Sequence, residues 1–228
     1  MQTELAREQM VEQQVRALDV LDERVLNTLR TVPRELFVPA NVKYLAFADT
    51  EIPLPCGQHM LRPSLVGKIL QALKLTGTER VLEVGTGSGF MTACLAVNAA
   101  SVRSVELYPE LAEMARDNLR AAGIRNAEVI IADAASDEVA SSAARAAGSA
   151  LGGLYEVVVL TCAMPLADER FRTLLTQGGR LFGIVGDPPV QEARLLRRIG
   201  DSEWERTVLF ETCIDPLINA RRASTFTF

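Results

Sequence analysis

The chain has 228 residues, 48% of them hydrophobic and 23% charged, with a formal net charge of -5. That length and balance suit one globular domain with a full core, with room for a terminal subdomain. The acidic balance argues against a general nucleic-acid binder, which needs clustered cations for phosphate, and against nucleic acid as a partner. No apolar run approaches the roughly 20 residues of a membrane helix, so no membrane partner is expected. Residues 1–15 are polar and acidic rather than basic then apolar, which is not the pattern of a signal peptide, and a cytoplasmic location is expected.

Residues 3–16 read as a helix whose main apolar positions are Leu5, Met10 and Val15, broken at 18–20. Asp22 caps a second helix with Glu23 in its first turn and Val25, Leu26 and Leu29 on its apolar face. Pro33 ends it, and a short element carries Leu36, Phe37 and Val38 into Pro39. Ile52-Pro53-Leu54-Pro55 then leads into a loop, Cys56-Gly57-Gln58-His59-Met60-Leu61-Arg62-Pro63. A helix over 64–73 starts at Pro63 or Ser64. Within the loop, Arg62 has the fork to clamp a carboxylate, and His59 is a proton acceptor suited to neutral pH. The plainer readings are a solvated charge and an ordinary loop polar group.

Val81-Leu82-Glu83-Val84 is a short apolar run of the kind that forms a buried strand. Gly85-Thr86-Gly87-Ser88-Gly89 follows, then a helix-compatible apolar stretch over 91–99. Alternate glycines permit unusual dihedrals and a close approach of backbone to ligand. The helix that opens there points free N–H groups at whatever sits in the turn. The spacing is G-x-G-x-G with Glu83 upstream, not the dinucleotide pattern G-x-G-x-x-G. A second run, 101–105, ends in Glu106, roughly 20 residues past the first glycine, where nucleotide-binding folds hold ribose hydroxyls.

Leu107-Tyr108-Pro109-Glu110 starts a helix with Leu111, Met114, Ala115 and Leu119 on its core face, stopped by Gly123. A strand over 126–133 ends in Asp133. Residues 134–153 are rich in Ala, Ser and Gly and read as a surface insertion, with 141–150 as a small-residue helix or flap. Val157, Val158, Val159 and Leu160 form a central strand over 155–161, buried on both faces. Residues 171–175 read as helix, 178–187 as turn then strand, and 195–199 and 207–210 as strands around Trp204. The tail beyond Asn219 is expected to fray. Cys56, Cys94, Cys162 and Cys213 are far apart, three of them in apolar runs, so buried free thiols are expected. His59 is the only histidine, and no metal site is expected.

The pattern of Glu83, Gly85, Gly87 and Gly89 resembles motif I of the class I methyltransferases, which bind S-adenosylmethionine. Met10-Val11-Glu12-Gln13-Gln14 and Val32-Pro33-Arg34-Glu35-Leu36-Phe37-Val38-Pro39 resemble two segments of the protein-L-isoaspartate O-methyltransferase family, M-V-x-x-Q and V-P-R-x-x-F-V-P. Leu160-Thr161-Cys162-Ala163-Met164-Pro165, Gly178-Gly179-Arg180-Leu181-Phe182-Gly183-Ile184-Val185-Gly186-Asp187 and Asp215-Pro216-Leu217-Ile218 are similar to three further family segments. The resemblance runs over residues 8–218. Its loop G-Q-x-x-S-x-P is matched by Gly57, Gln58 and Pro63, but the family's serine falls on Leu61. In the family that hydroxyl meets the substrate carboxylate; a leucine has no donor to offer.

The resemblance implies an α/β fold, a doubly wound, mostly parallel Rossmann-like sheet with helices on both faces. An N-terminal helical segment and loop, 1–75, would pack on a cofactor-binding core, 76–228, in one compact domain. It implies S-adenosylmethionine as cofactor. Glu83, Gly85, Thr86, Gly87, Ser88 and Gly89 would hold its methionine end, Glu106 its ribose, and Asp133 and Ala134 its adenine, with Leu107 also in the site. Gln58, Met60 and Thr161 would complete that site. The acceptor implied is the free carboxylate of an isoaspartyl residue in a damaged peptide or protein, with His59, Arg62 and the altered position Leu61 on the catalytic side. A methyltransferase acting on a small molecule, a modified peptide or tRNA, and a non-catalytic cofactor-binding module, are the other readings.

Overall fold

A computed structural model describes residues 2–136, 151–167 and 169–221. Its centre is a seven-stranded sheet made from β3 (Arg80–Val84), β4 (Ser101–Glu106), β5 (Ala127–Ile131), β6 (Tyr155–Met164), β7 (Leu175–Val185), β8 (Gln191–Arg198) and β9 (Trp204–Thr212). The strand order is β5-β4-β3-β6-β7-β8-β9. Ladders from β5 through to β7 are parallel, and β8 and β9 close the far edge as an antiparallel pair. This is the doubly wound, mostly parallel architecture expected. Val157 and Val159 pack into one hydrophobic cluster and Val158 and Leu160 into another, all fully buried. Successive side chains of a strand point to opposite faces, so a continuous apolar run identifies a strand covered on both sides.

The longer helices among the described residues are α1 (Gln2–Met10), α2 (Glu23–Thr31), α3 (Pro63–Leu73), α4 (Phe90–Val97) and α5 (Pro109–Ala121). Asp22 caps α2 as expected, accepting from the Arg24 N–H. Gly123, at φ +74, follows the end of α5. The helix expected over 3–16 changes pitch. After α1 the chain makes a π-helical turn, Val11–Val15, and a 3-10 turn, Arg16–Leu18. The wider turn accompanies burial of Met10, Val11 and Val15 together, while Leu5 stays 60% exposed, so it is not part of the core. One hydrophobic cluster draws on these N-terminal residues and on β3, α4 and β6 alike.

Three other expectations are corrected. Residues 178–179, expected as a turn, lie inside β7, which also takes Leu175 from the expected helix; only Glu169–Arg172 is helical. The pairing with β6 jumps from Tyr155↔Leu175 to Val157↔Arg180, so the glycines are absorbed as a bulge rather than a turn between elements. The loop over 52–60 is partly a two-stranded ribbon, β1 (Ile52–Pro53) against β2 (His59–Met60). Of the cysteines, Cys94 is buried and Cys162 half-buried, but Cys56 and Cys213 are exposed. Residues 141–150 and 222–228 lie outside the described residues.

Candidate active site

Strands β3 and β6 are neighbours, and their onward connections leave in opposite directions, to β4 and to β7. Open α/β sheets hold their ligands in the crevice outside such a switch point. Here it opens into a cleft of about 850 Å³, mouth included. The turn after β3 contributes Gly85, Thr86, Gly87 and Ser88, and the ends of β4 and β5 contribute Glu106, Leu107, Asp133 and Ala134. Thr161 comes from β6, and Gln58, His59, Met60 and Leu61 come from the ribbon and its exit. These expected site residues are therefore brought together.

The turn is pinned from both sides. Gly85 has φ +96, and a Cβ there would stand 2.5 Å from the Thr161 hydroxyl. That hydroxyl donates to the carbonyls of Val84 (2.9 Å) and Gly85, stitching the turn to β6. Glu106 holds the other side. It is 5% exposed, and its carboxylate accepts from the Gly87 N–H at 2.9 Å and the Tyr108 N–H at 3.0 Å. Two N–H donors fix the carboxylate on the cleft wall, and its remaining lone pairs stay free for hydroxyl donors. Asp133 is fixed similarly, accepting from the Ala135 N–H (2.9 Å) and the Asn219 side-chain amide (2.8 Å).

Glu83, Gly89 and Arg62 do not line the cleft. Glu83 shares its strand face with Val81, toward α4, because side chains alternate along β3. It is fully buried, and its Oε2 accepts from the hydroxyls of Thr92 on α4 and Ser104 (2.6 Å) on β4. Ser104 in turn meets the Thr86 hydroxyl at 2.6 Å, so Glu83 supports the turn from beneath. Gly89, at φ +88, starts α4 where a Cβ would press on Ala115 of α5 at 3.2 Å; it serves helix packing. Arg62 donates to the Thr212 hydroxyl at 3.2 Å, tying the ribbon's exit to β9.

Burial pushes the Glu83 carboxyl up to about 7, against the opposing pull of its two hydroxyl donors. The folded protein thus keeps a proton that the unfolded chain has already shed. Stability therefore falls as pH rises from about 4.5 to about 7 and stays lost above that, by about 3 kcal/mol for this group. Glu83→Gln is expected to flatten that decline, as read from urea unfolding at pH 5 and pH 8. An equally steep decline in the variant would show that Glu83 is charged in the folded state.

The ribbon is anchored from behind by Arg34, which is fully buried. Its Nε donates to the Ala46 carbonyl at 3.0 Å and its Nη2 to the Leu61 carbonyl at 2.9 Å. Asp49 accepts from the Ser64 N–H (2.8 Å) and hydroxyl (2.7 Å), starting α3 directly after the loop. At the mouth, His59 Nδ1 lies 2.9 Å from Asp215 Oδ2. Asp215, Pro216, Leu217 and Ile218 also line the cleft, as does Cys162. The sequence marked that C-terminal segment as a motif but gave it no place in the site. Burial pushes the Cys162 thiol up to about 12, which suits a packed thiol rather than a nucleophile.

The model of the protein-L-isoaspartate(D-aspartate) O-methyltransferase family matches residues 5–221. A protein-L-isoaspartate O-methyltransferase of Methanoculleus marisnigri is 38% identical, over 93% of this chain and 91% of its own. One from Koribacter versatilis is 35% identical, over 94% and 91%. Among solved structures, a Plasmodium falciparum protein described as a protein-L-isoaspartate O-methyltransferase, in complex with S-adenosyl-L-homocysteine, superposes with a TM-score of 0.76 at 19% identity. That match covers 93% of this chain and 98% of the other, and shows the shared fold. By sequence and by fold, the chain belongs to the protein-L-isoaspartate(D-aspartate) O-methyltransferase family.

Proposed function

We propose that the protein transfers a methyl group from S-adenosylmethionine to the free carboxylate of isoaspartyl residues in peptides or proteins. The observation that carries the cofactor half is Glu106: a buried carboxylate held by two backbone N–H groups on the wall of a glycine-turn cleft at the sheet's switch point. The cleft fits the cofactor in its chemistry. The turn has no Cβ at Gly85 or Gly87, so its backbone can approach a ligand closely. Glu106 suits vicinal ribose hydroxyls, and Asp133 suits the amino group of a purine. Val105, Leu107 and Leu111 offer apolar surface beside them.

When bound, the cofactor supplies an electrophilic methyl on a sulfonium. The residues of the chain supply alignment. Met60 and Leu61 cover the cleft from the ribbon, and Arg34 and Asp49 hold that ribbon to the core. A carboxylate acceptor is already ionised near neutral pH, so proximity and orientation carry much of the rate and no base is required. Leu61 lines the cleft with an apolar side chain, so acceptor recognition falls to other groups.

The test is transfer of labelled methyl to an isoaspartyl peptide, with the matching aspartyl peptide as control. Base-labile label on the isoaspartyl peptide alone is expected. No label, with S-adenosylhomocysteine still bound tightly, would overturn the acceptor assignment and favour a same-fold enzyme for another acceptor or a non-catalytic module.

A further inference from the structure

We infer that His59, oriented by Asp215, binds the acceptor carboxylate, and that this pair sets acceptor recognition in place of residue 61. The inference rests on the proposed isoaspartyl reaction and names the group that recognises its substrate. The two residues lie 156 positions apart in the chain, and the fold closes them to 2.9 Å across the mouth of the cleft. Their side chains are 41% and 34% exposed, so the pair sits where a residue carried on a large protein can reach it.

Asp215 is presented from fixed backbone. The Ala163 N–H donates to its carbonyl at 2.9 Å, and the Leu217 N–H donates to the Ala163 carbonyl at 2.7 Å. With Nδ1–H given to Asp215, ring orientation is set and Nε2 has no hydrogen-bond partner among the described residues. His59 is the one imidazole or cation among the described residues that line the cleft, and the groups nearest in role are unsuited to an anion. Glu106 and Asp133 are carboxylates, and Leu61 is apolar with its carbonyl taken by Arg34.

In its doubly protonated form the imidazole donates from Nε2 to one oxygen of the acceptor carboxylate. The other oxygen attacks the methyl carbon. A C–O bond forms, the C–S bond breaks, its electron pair stays on sulfur, and no proton is gained or lost. Asp215 lies against His59, and Glu51 interacts electrostatically with His59, Asp215 and Arg62. Burial pushes the Glu51 carboxyl up, and Arg62 pulls it back.

The test compares full-length wild type, His59→Ala, His59→Gln, Asp215→Asn and Glu51→Gln on the isoaspartyl peptide, with S-adenosylhomocysteine affinity measured in parallel. His59→Ala is expected to lower kcat/KM by about 10- to 100-fold, mostly through KM, because a charge-assisted hydrogen bond is lost. Asp215→Asn is expected to lower it by less, about fivefold. Affinity for S-adenosylhomocysteine should stay within about twofold of wild type in both, which also shows that they fold. The acceptor carboxylate is ionised throughout pH 5 to 8. His59→Gln, whose amide can still donate to it, should therefore lose less kcat/KM than His59→Ala, and Glu51→Gln should lose little.

An unchanged kcat/KM in His59→Ala overturns the inference alone. So does a parallel loss of S-adenosylhomocysteine affinity, which would make the pair a clasp over the cofactor. A wild type that binds S-adenosylhomocysteine but leaves the isoaspartyl peptide unlabelled overturns the reading beneath it, and this inference with it.

Discussion

Glu106→Ala is expected to weaken S-adenosylhomocysteine binding by about 100-fold or more, as measured by calorimetry. Two losses combine. The ligand's vicinal hydroxyls lose a charged acceptor, at about 1.5–3 kcal/mol for each charge-assisted bond. The Gly87 and Tyr108 N–H groups also lose the carboxylate that fixes the glycine turn against β4. Glu106→Gln separates the two. Its amide oxygen can still accept from one N–H, so it should retain more of the turn while losing the charge. Unchanged affinity in Glu106→Ala would sink the assignment of this cleft wall to the ribose.

Arg34→Ala is expected to cost about 3–5 kcal/mol of folding stability, read from urea unfolding. The guanidinium is fully buried, bonds two carbonyls, and stacks 4.7 Å above the Phe90 ring. Burial, opposed by Cys94 and Asp49, pulls it down to about 10, so it remains charged at neutral pH. Removing it opens a cavity beside the Phe37–Phe90 edge contact and leaves the Ala46 and Leu61 carbonyls unpaired. Because Leu61 sits in the cleft wall, the variant should also bind S-adenosylhomocysteine less tightly. Arg34→Lys should recover only part of the loss, since an ammonium lacks the planar fork that reaches two carbonyls. A loss below about 1 kcal/mol would show that the ribbon is held by other contacts.

The sequence by itself determined the sheet's centre, the glycine turn after β3 and the two acids, Glu106 and Asp133, that stand beside it at strand ends. Those features are local. An apolar run of four residues, glycines at alternate positions and an acid at a strand's end each carry their meaning within one element. The same holds for Asp22 before α2 and Gly123 after α5, where a cap is decided by its immediate neighbours.

What only the tertiary structure decided depends on faces and on distant partners. Glu83 stands beside the glycines in sequence, yet the two-residue alternation of β3 turns it away from the cleft to hydroxyls from α4 and β4. Gly89 completes the motif in sequence, but in space it makes room for Ala115. Arg62, legible as a carboxylate clamp, is instead tied to β9. Asp215 carried no signal for the site, because its meaning comes from a partner 156 residues away that only the closed sheet brings to its side.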